Sequence, residues 1–182
     1  MRRPCHLNHA KAPQQGFALF IVLMMMIVIA FLVVAVTQSY NTEMRIGSND
    51  ADRKMAMSLA EAALRRGEGD IADLGNPAFT QNCTGGLCTL AGAQAATQGS
   101  VTIGADSSNV AAWERQCGNS GCLESNGRVY AAGSEVSRPP RYIIEFIDAK
   151  TDDRMIYRVT ARAWGRNANT VVTVQSYVEV AS

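Results

Sequence analysis

Cys83, Cys88, Cys117 and Cys122 are the residues best suited to covalent chemistry in this 182-residue chain. They form two Cys-x4-Cys pairs, Cys83-Thr-Gly-Gly-Leu-Cys88 and Cys117-Gly-Asn-Ser-Gly-Cys122. In an oxidising compartment an even set of this kind forms disulfides, and four cysteines permit three pairings. The glycines inside each loop let the chain turn back tightly, which favours local bridges 83–88 and 117–122. A crossed pairing closes longer loops and stabilises more in the chain-entropy model, so it stays open. The competing chemistry is a zinc site of four thiolates, although the usual zinc spacing puts two residues between paired cysteines.

The rest of the reactive inventory is thin. His6 and His9 precede Gly16, so a chain starting after Gly16 has no histidine and lacks the usual general base and metal ligand. There is no phosphate loop and no nucleophile elbow. The carboxylates are scattered and read as solvated. No enzyme activity, cofactor or metal is expected. Arg138, Arg141, Arg158, Arg162 and Arg166 would form a basic face on a sheet. DNA contact is one reading of it, and an ordinary solvent face with Glu145 and Glu179 interleaved is the preferred one. Trp164 and Trp113 are candidates for partner contact or sheet packing.

Charge is distributed unevenly. Arg2, Arg3 and Lys11 lie before Gly16, and the first acid is Glu43. Removing residues 1–16 takes three of the 17 Lys+Arg and leaves 14 against 16 Asp+Glu. That near-neutral balance offers no bulk attraction for nucleic acid. Residues 17–36 are wholly apolar, without charge, Pro or Gly. At about 1.5 Å rise per residue they span roughly the 30 Å of a bilayer core. The basic leader stays cytoplasmic and puts the C-terminal part outside. A secretory signal would need a small-residue cleavage site after the apolar run, and Ala35-Val36-Thr37 is a poor one. A permanent single-pass anchor needs nothing more. Gln14-Gln15-Gly16-Phe17-Ala18-Leu19, by contrast, resembles a prepilin leader, in which a dedicated peptidase cuts between Gly and Phe and methylates the new amine.

Helical residues continue without Pro from Ser39 to about Asp73 and are rich in good helix formers. Met44, Ala51, Met55, Leu59, Ala62 and Ala63 recur at three- and four-residue steps and predict an apolar stripe. Gly47 and Ser48 are the weak point of this rod. Gly75-Asn76-Pro77 ends it. Residues 76–138 predict a loop-rich region that needs staples, with a helical turn near Val110–Gln116. Residues 141–147, 155–164 and 170–178 predict three strands with period two. They make an antiparallel sheet with one buried face, turning at Asp152-Asp153 and Gly165–Asn169. Its apolar face is expected to pack on the rod around Met55, Leu59 and Ala63.

Phe17-Ala-Leu-Phe-Ile-Val-Leu, Asp52-Arg-Lys and Ser58-Leu-Ala-Glu-Ala-Ala-Leu-Arg resemble the N-terminal region of the PilX/PilK group of type IV pilus minor pilins. Cys-x4-Cys with internal Gly, Pro140-Arg-Tyr-Ile-Ile-Glu and Tyr157-Arg-Val-Thr-Ala-Arg-Ala-Trp-Gly extend the likeness, towards the neisserial PilK branch, over most of the chain. The resemblance implies an α+β pilin-like fold. Residues 1–16 are a removed leader, 17–36 the membrane and polymerisation half of a spine helix, 37–74 its amphipathic half, and 75–182 a globular head. It also favours the 83–88 bridge. The implied site residues are Gly16 and Phe17 for cleavage and Phe17 for N-methylation.

Most pilins carry Glu at the fifth mature position, where it neutralises a neighbour's N-terminal amine in the apolar filament core. Here that position is Ile21. A subunit lacking this Glu suits the tip, where no subunit precedes it. The implied partners are other minor pilins and the major pilin through the N-terminal helix, the prepilin peptidase, the inner membrane and a tip adhesin. DNA is not expected. The implied location is the inner membrane, with a periplasmic domain, and then the pilus. Two alternatives stand beside this reading: the tip pseudopilin of a type II secretion system, and an uncleaved single-pass envelope binding protein.

Overall fold

The computed structural model describes residues 15–131, 133, 135–150 and 154–181. Residues 1–14, most of the expected leader, with Cys5, His6 and His9, and the expected turn at Asp152-Asp153 lie outside them. Helix α1 runs Gln15–Ala72 and continues through Gly47 and Ser48 without a break. It ends on turns in which the Asp73 and Leu74 N–H groups donate to Asp70 and Ile71 carbonyls, just ahead of the predicted Gly75-Asn76-Pro77 stop. The chain divides into two compact units, one ending at Gly47 and the other starting at Ser48.

The second unit is built on three long strands, β8 (Arg141–Ala149), β9 (Arg154–Trp164) and β10 (Val171–Ala181). They pair antiparallel in sequence order, as the period-two pattern requires. The outer edge of β8 is covered by two short strands. β2 (Leu87–Thr89) lies parallel on Ile144–Phe146, and β7 (Arg128–Val129) antiparallel on Arg141 and Tyr142. A second small sheet joins β1 (Ala78–Phe79), β4 (Val101–Ile103) and β3 (Ala96–Gln98) in that order. Strands β5 (Gln116–Cys117) and β6 (Ser120–Gly121) form a hairpin that leads into the five-residue helix α2 (Cys122–Asn126). Within the helical turn expected near Val110–Gln116, the chain makes a single uncontinued turn of helical type, in which the Glu114 and Arg115 N–H groups both donate to the Ala111 carbonyl.

One face of the sheet carries Tyr142, Ile144, Phe146, Tyr157, Val159 and Ala161, which form the main core with Ala63, Ile71, Phe79, Val101 and Ile103. The rings of Phe79, Phe146 and Tyr157 sit 5.7–5.9 Å apart, within aromatic contact range. The helix line that meets this core differs from the expected one. Ala56, Ala60 and Ala63 are fully buried and Gly67 is buried, whereas Met55 and Leu59 are only half-buried flanks. Close approach of a helix to a sheet leaves no room for long side chains at the contact line, so small residues take it and bulky ones straddle it.

A Cβ added at Gly67 would lie 2.6 Å from Val159 Cγ1 and 2.8 Å from Tyr142 Cδ2. Both neighbours are core residues. We therefore expect Gly67→Val to cost about 1–3 kcal/mol through overpacking, read as a lower melting temperature of the full chain in detergent. Gly69, with open space around it, serves as the control for helix propensity alone.

Over β8 and β9 the opposite sheet face is not left to solvent, which corrects the expectation of one buried side there, whereas β10 keeps that face exposed as expected. Ile143, Glu145 and Thr160 on it are fully buried. Residues 83–123 cover them with a second core of Cys83, Cys88, Ala112, Cys122 and Leu123. Only a layer laid down by the loop-rich region hides this face, and no periodicity within the strands reports it.

Candidate functional site

In the first unit the apolar residues from Phe17 to Val36 are exposed without exception among the large side chains, from 45% at Ile21 to 73% at Phe31. α1 is long and apolar enough to cross a membrane, the only such helix among the described residues. The hydroxyls just past the apolar run turn inward on their own helix. Thr37 Oγ1 donates to the Val34 carbonyl at 3.0 Å and Thr42 Oγ1 to the Gln38 carbonyl at 3.1 Å. Such back-bonding satisfies a polar group without water. Ile21 lies near the start of an uninterrupted apolar surface, with Phe17 one turn before it and Met24 and Met25 one turn after it.

In the second unit the four cysteines sit in the layer over β8. Cys83 is bonded to Cys88 and Cys117 to Cys122. The first pair closes a short 3-10 turn, Thr84–Gly86, in which Gly85 and Gly86 both have positive φ, a conformation that glycine adopts freely. The second pair closes the β5–β6 hairpin around Gly118, which also has positive φ.

The five arginines proposed as a basic face are each engaged. Arg158 Nε and Nη2 reach Glu145 Oε2 at 2.9 and 2.6 Å, and its guanidinium lies 4.2 Å from the Trp113 ring centroid. Arg162 and Arg138 both pair with Glu124. Arg141 donates to the Gly127 carbonyl at 2.9 Å, and Arg166 pairs with Glu135. Glu145 is therefore not the interleaved solvent carboxylate that the sequence suggests. Trp164 is only 3% exposed, with Arg138 over its ring, so it is a packing residue rather than a partner contact. Trp113 packs against the second core and takes the Arg158 cation.

Three carboxylates missed as structural groups hold this unit together. Asp106 is buried and receives the Gly92 N–H at 2.9 Å, the Ser108 hydroxyl at 2.7 Å and Arg115 at 3.3 Å. Burial pushes its carboxyl up, but the Ser108 and Gly92 donors and the Arg115 charge bring it below the usual range. Asp70 near the end of α1 accepts from the Tyr142 hydroxyl at 2.6 Å and Arg128 at 2.9 Å. Burial opposes ionisation there too, and these two donors with Arg66 outweigh it. Asp52, one turn into the second unit, accepts from the Arg166 N–H at 2.6 Å in the Gly165–Asn169 turn. Donation from Thr170, then from that backbone, holds its carboxyl low. The Asp-Ser-Ser run at 106–108 is the one local signal that could have marked such a group, since Asp side chains bond the backbone two residues on.

These features amount to a scaffold with an exposed apolar helix, and no catalytic constellation accompanies it among the described residues. Two family models match the chain. PilX N-terminal matches residues 15–65, and Type IV pilus assembly protein PilX C-term matches residues 84–180. No match is found among curated proteins or among solved structures. The first match takes in the exposed apolar helix and most of the small-residue contact line. The second takes in Cys88, the whole 117–122 disulfide loop and the three long strands up to Val180, more than half of the chain, so the chain belongs to the PilX family and is a minor pilin of type IV pilus assembly.

Proposed function

We propose that this minor pilin is cleaved between Gly16 and Phe17, methylated on Phe17, and then packs by its apolar helix with other minor pilins in a subcomplex that primes or modulates pilus assembly from the tip. The observation that carries the reading is Ile21. An apolar helix offered whole to its neighbours has no carboxylate where most pilins hold one. A buried amine without a counter-charge is expensive in a membrane or filament core. A subunit lacking the carboxylate is poorly suited to follow another into the filament, and it loses nothing by going first. Within the family we place the chain nearer the PilK branch, on its Cys-x4-Cys and its Pro140-Arg-Tyr-Ile-Ile-Glu stretch. In a bilayer the association of such helices rests on packing more than on hydrophobic drive.

Two measurements test this. Intact mass of the membrane-extracted protein, without reductant, is expected to give a chain starting at Phe17 with one added methyl and two disulfides. A retained leader in cells with active prepilin peptidase would leave a single-pass anchored protein instead. Ile21→Glu is expected to spread the protein along the pilus shaft, seen by immunogold labelling. Unchanged abundance and placement would count against the tip reading while leaving family membership intact.

A further inference from the structure

The two disulfides of the covering layer share a spacing but not a setting. Cys83 and Cys88 are both fully buried in the second core. Arg128 is laid across their loop, its Nε donating to the Gly85 carbonyl at 2.9 Å. Of the other pair only Cys122 is fully buried. Cys117 is half-buried, and Gln116, Gly118 and Asn119 around it are exposed. One end of this bridge therefore meets reagents and the other meets apolar packing. Thiol–disulfide exchange is governed by which sulfur can be reached and by the thiolate that it displaces.

The hairpin that carries the bridge is a short insert between two fixed points. Arg115 before it is 3% exposed and held by the carbonyls of Gln81, Thr89 and Val110. Leu123 after it is fully buried in the second core. The hairpin itself is closed by only two residue pairs, Gln116↔Gly121 and Cys117↔Ser120. Opening the bridge thus frees residues 116–121 and leaves both anchors in place. The open form also has a partner ready. Cys117 Sγ lies 3.4 Å from the Asn82 carbonyl oxygen, so a thiol released there has an acceptor at hand. We propose that Cys117–Cys122 is a site of thiol–disulfide exchange with an external dithiol, entered at Cys117, which switches residues 116–121 between a closed hairpin and an open loop while Cys83–Cys88 stays shut.

A thiolate of the dithiol attacks Cys117 Sγ and bonds to it as the Cys117–Cys122 bond breaks. Cys122 leaves as a thiolate and takes a proton, because the apolar cluster around it, with Ala112, Leu123 and Ile143, disfavours the charge. The second thiol of the reagent gives up its proton and attacks the reagent sulfur bound to Cys117. That expels Cys117 as a thiolate, which takes up a proton in turn. Two electrons pass from the dithiol to the bridge, and the dithiol becomes a disulfide. An oxidised reagent runs the steps backwards, with the Cys117 thiolate as the first nucleophile.

The test titrates the full chain in detergent micelles with dithiothreitol, quenches in acid, alkylates under denaturing conditions and locates the labelled cysteines by peptide mass. Cys117 and Cys122 are expected to take label at a dithiol concentration at least about tenfold below the one that labels Cys83 and Cys88. In the form opened only at this bridge, hydrogen exchange is expected to speed up over residues 116–121 and to keep its protection over residues 80–90 and β8. Glutathione disulfide is expected to restore the bridge. Two variants locate the point of entry. Cys122→Ser leaves Cys117 as a free thiol, and Cys117→Ser leaves the buried Cys122. Followed by mass at the remaining cysteine, the first is expected to react with an aromatic disulfide reagent at least about tenfold faster than the second. Reduction of Cys83–Cys88 together with or before Cys117–Cys122, or loss of protection across the whole layer, would overturn the proposal. So would equal reactivity of the two variants.

Discussion

Arg158→Met is expected to lower the stability of the full chain by about 3–5 kcal/mol, the usual cost of stranding one member of a buried ion pair. Glu145 is fully buried, and both Arg158 contacts fall on its Oε2; its Oε1 has no protein partner among the described residues. Arg158 also spans Trp113 and Tyr177, whose hydroxyl accepts from Nη1 at 3.2 Å, so the substitution loosens the same sheet face where β9 meets β10 and the covering layer. Burial raises the Glu145 carboxyl even with Arg158 in place. A carboxyl raised on folding favours the folded state most at low pH, and that contribution is lost as pH rises through the folded value. The deficit of Arg158→Met is therefore largest at neutral pH and shrinks on acidification. Adding Glu145→Leu should recover most of the loss, because an apolar pair needs no counter-charge. Chemical denaturation at two pH values, over the single and double variants, reads all three expectations. A deficit independent of pH and of Glu145 would show that the pair is not the cause.

Arg115→Met is expected to act as strongly on the disulfide layer. Its guanidinium donates to the carbonyls of Gln81 at 2.8 Å, Thr89 at 3.2 Å and Val110 at 2.8 Å, and it faces Asp106. Removing it leaves three carbonyls and a buried carboxylate short of a donor, again on the order of 3–5 kcal/mol. Arg115→Lys should not rescue, since a point-like ammonium cannot serve a planar fork of acceptors. Asp106 works in the opposite sense to Glu145. Its carboxyl is lowered on folding, so its contribution is present at neutral pH and lost as pH falls through the lowered value. Asp106→Asn should accordingly flatten the acid limb of the stability profile. Hydrogen exchange over residues 76–131 of the full chain is the direct readout. Unchanged protection there in Arg115→Met would show that the disulfides alone hold the layer.

The long elements were legible because their signals are local and repeated. The apolar run, the helix formers up to Asp73 and the alternation in β9 and β10 each report one period over many residues. β10 was placed within a few residues at both ends on alternation alone. The buried polar groups were not legible. Arg115 and Arg158 look like any surface arginine in a polar context, and their partners lie 9 and 13 residues away on other elements. The helix contact line was misread for a related reason. A hydrophobicity pattern weights Met55 and Leu59 above Ala56 and Ala60, whereas the sheet selects for small volume. Helix α2 is only five residues long, too short for its period to show.

The contact line along α1 also divides the helix into two sets of positions under separate selection. Ala56, Ala60, Ala63 and Gly67 are fixed by the sheet, one per turn, and tolerate almost no added volume. Arg53, Lys54, Met57, Ser58, Glu61 and Arg65 lie on exposed positions between them and carry no core. A lineage can rewrite the second set to follow a changing neighbour without touching the first. Within the family, the helix would then diverge fastest where it meets other subunits and slowest where it meets its own sheet, a banding of substitution rates with the pitch of the helix.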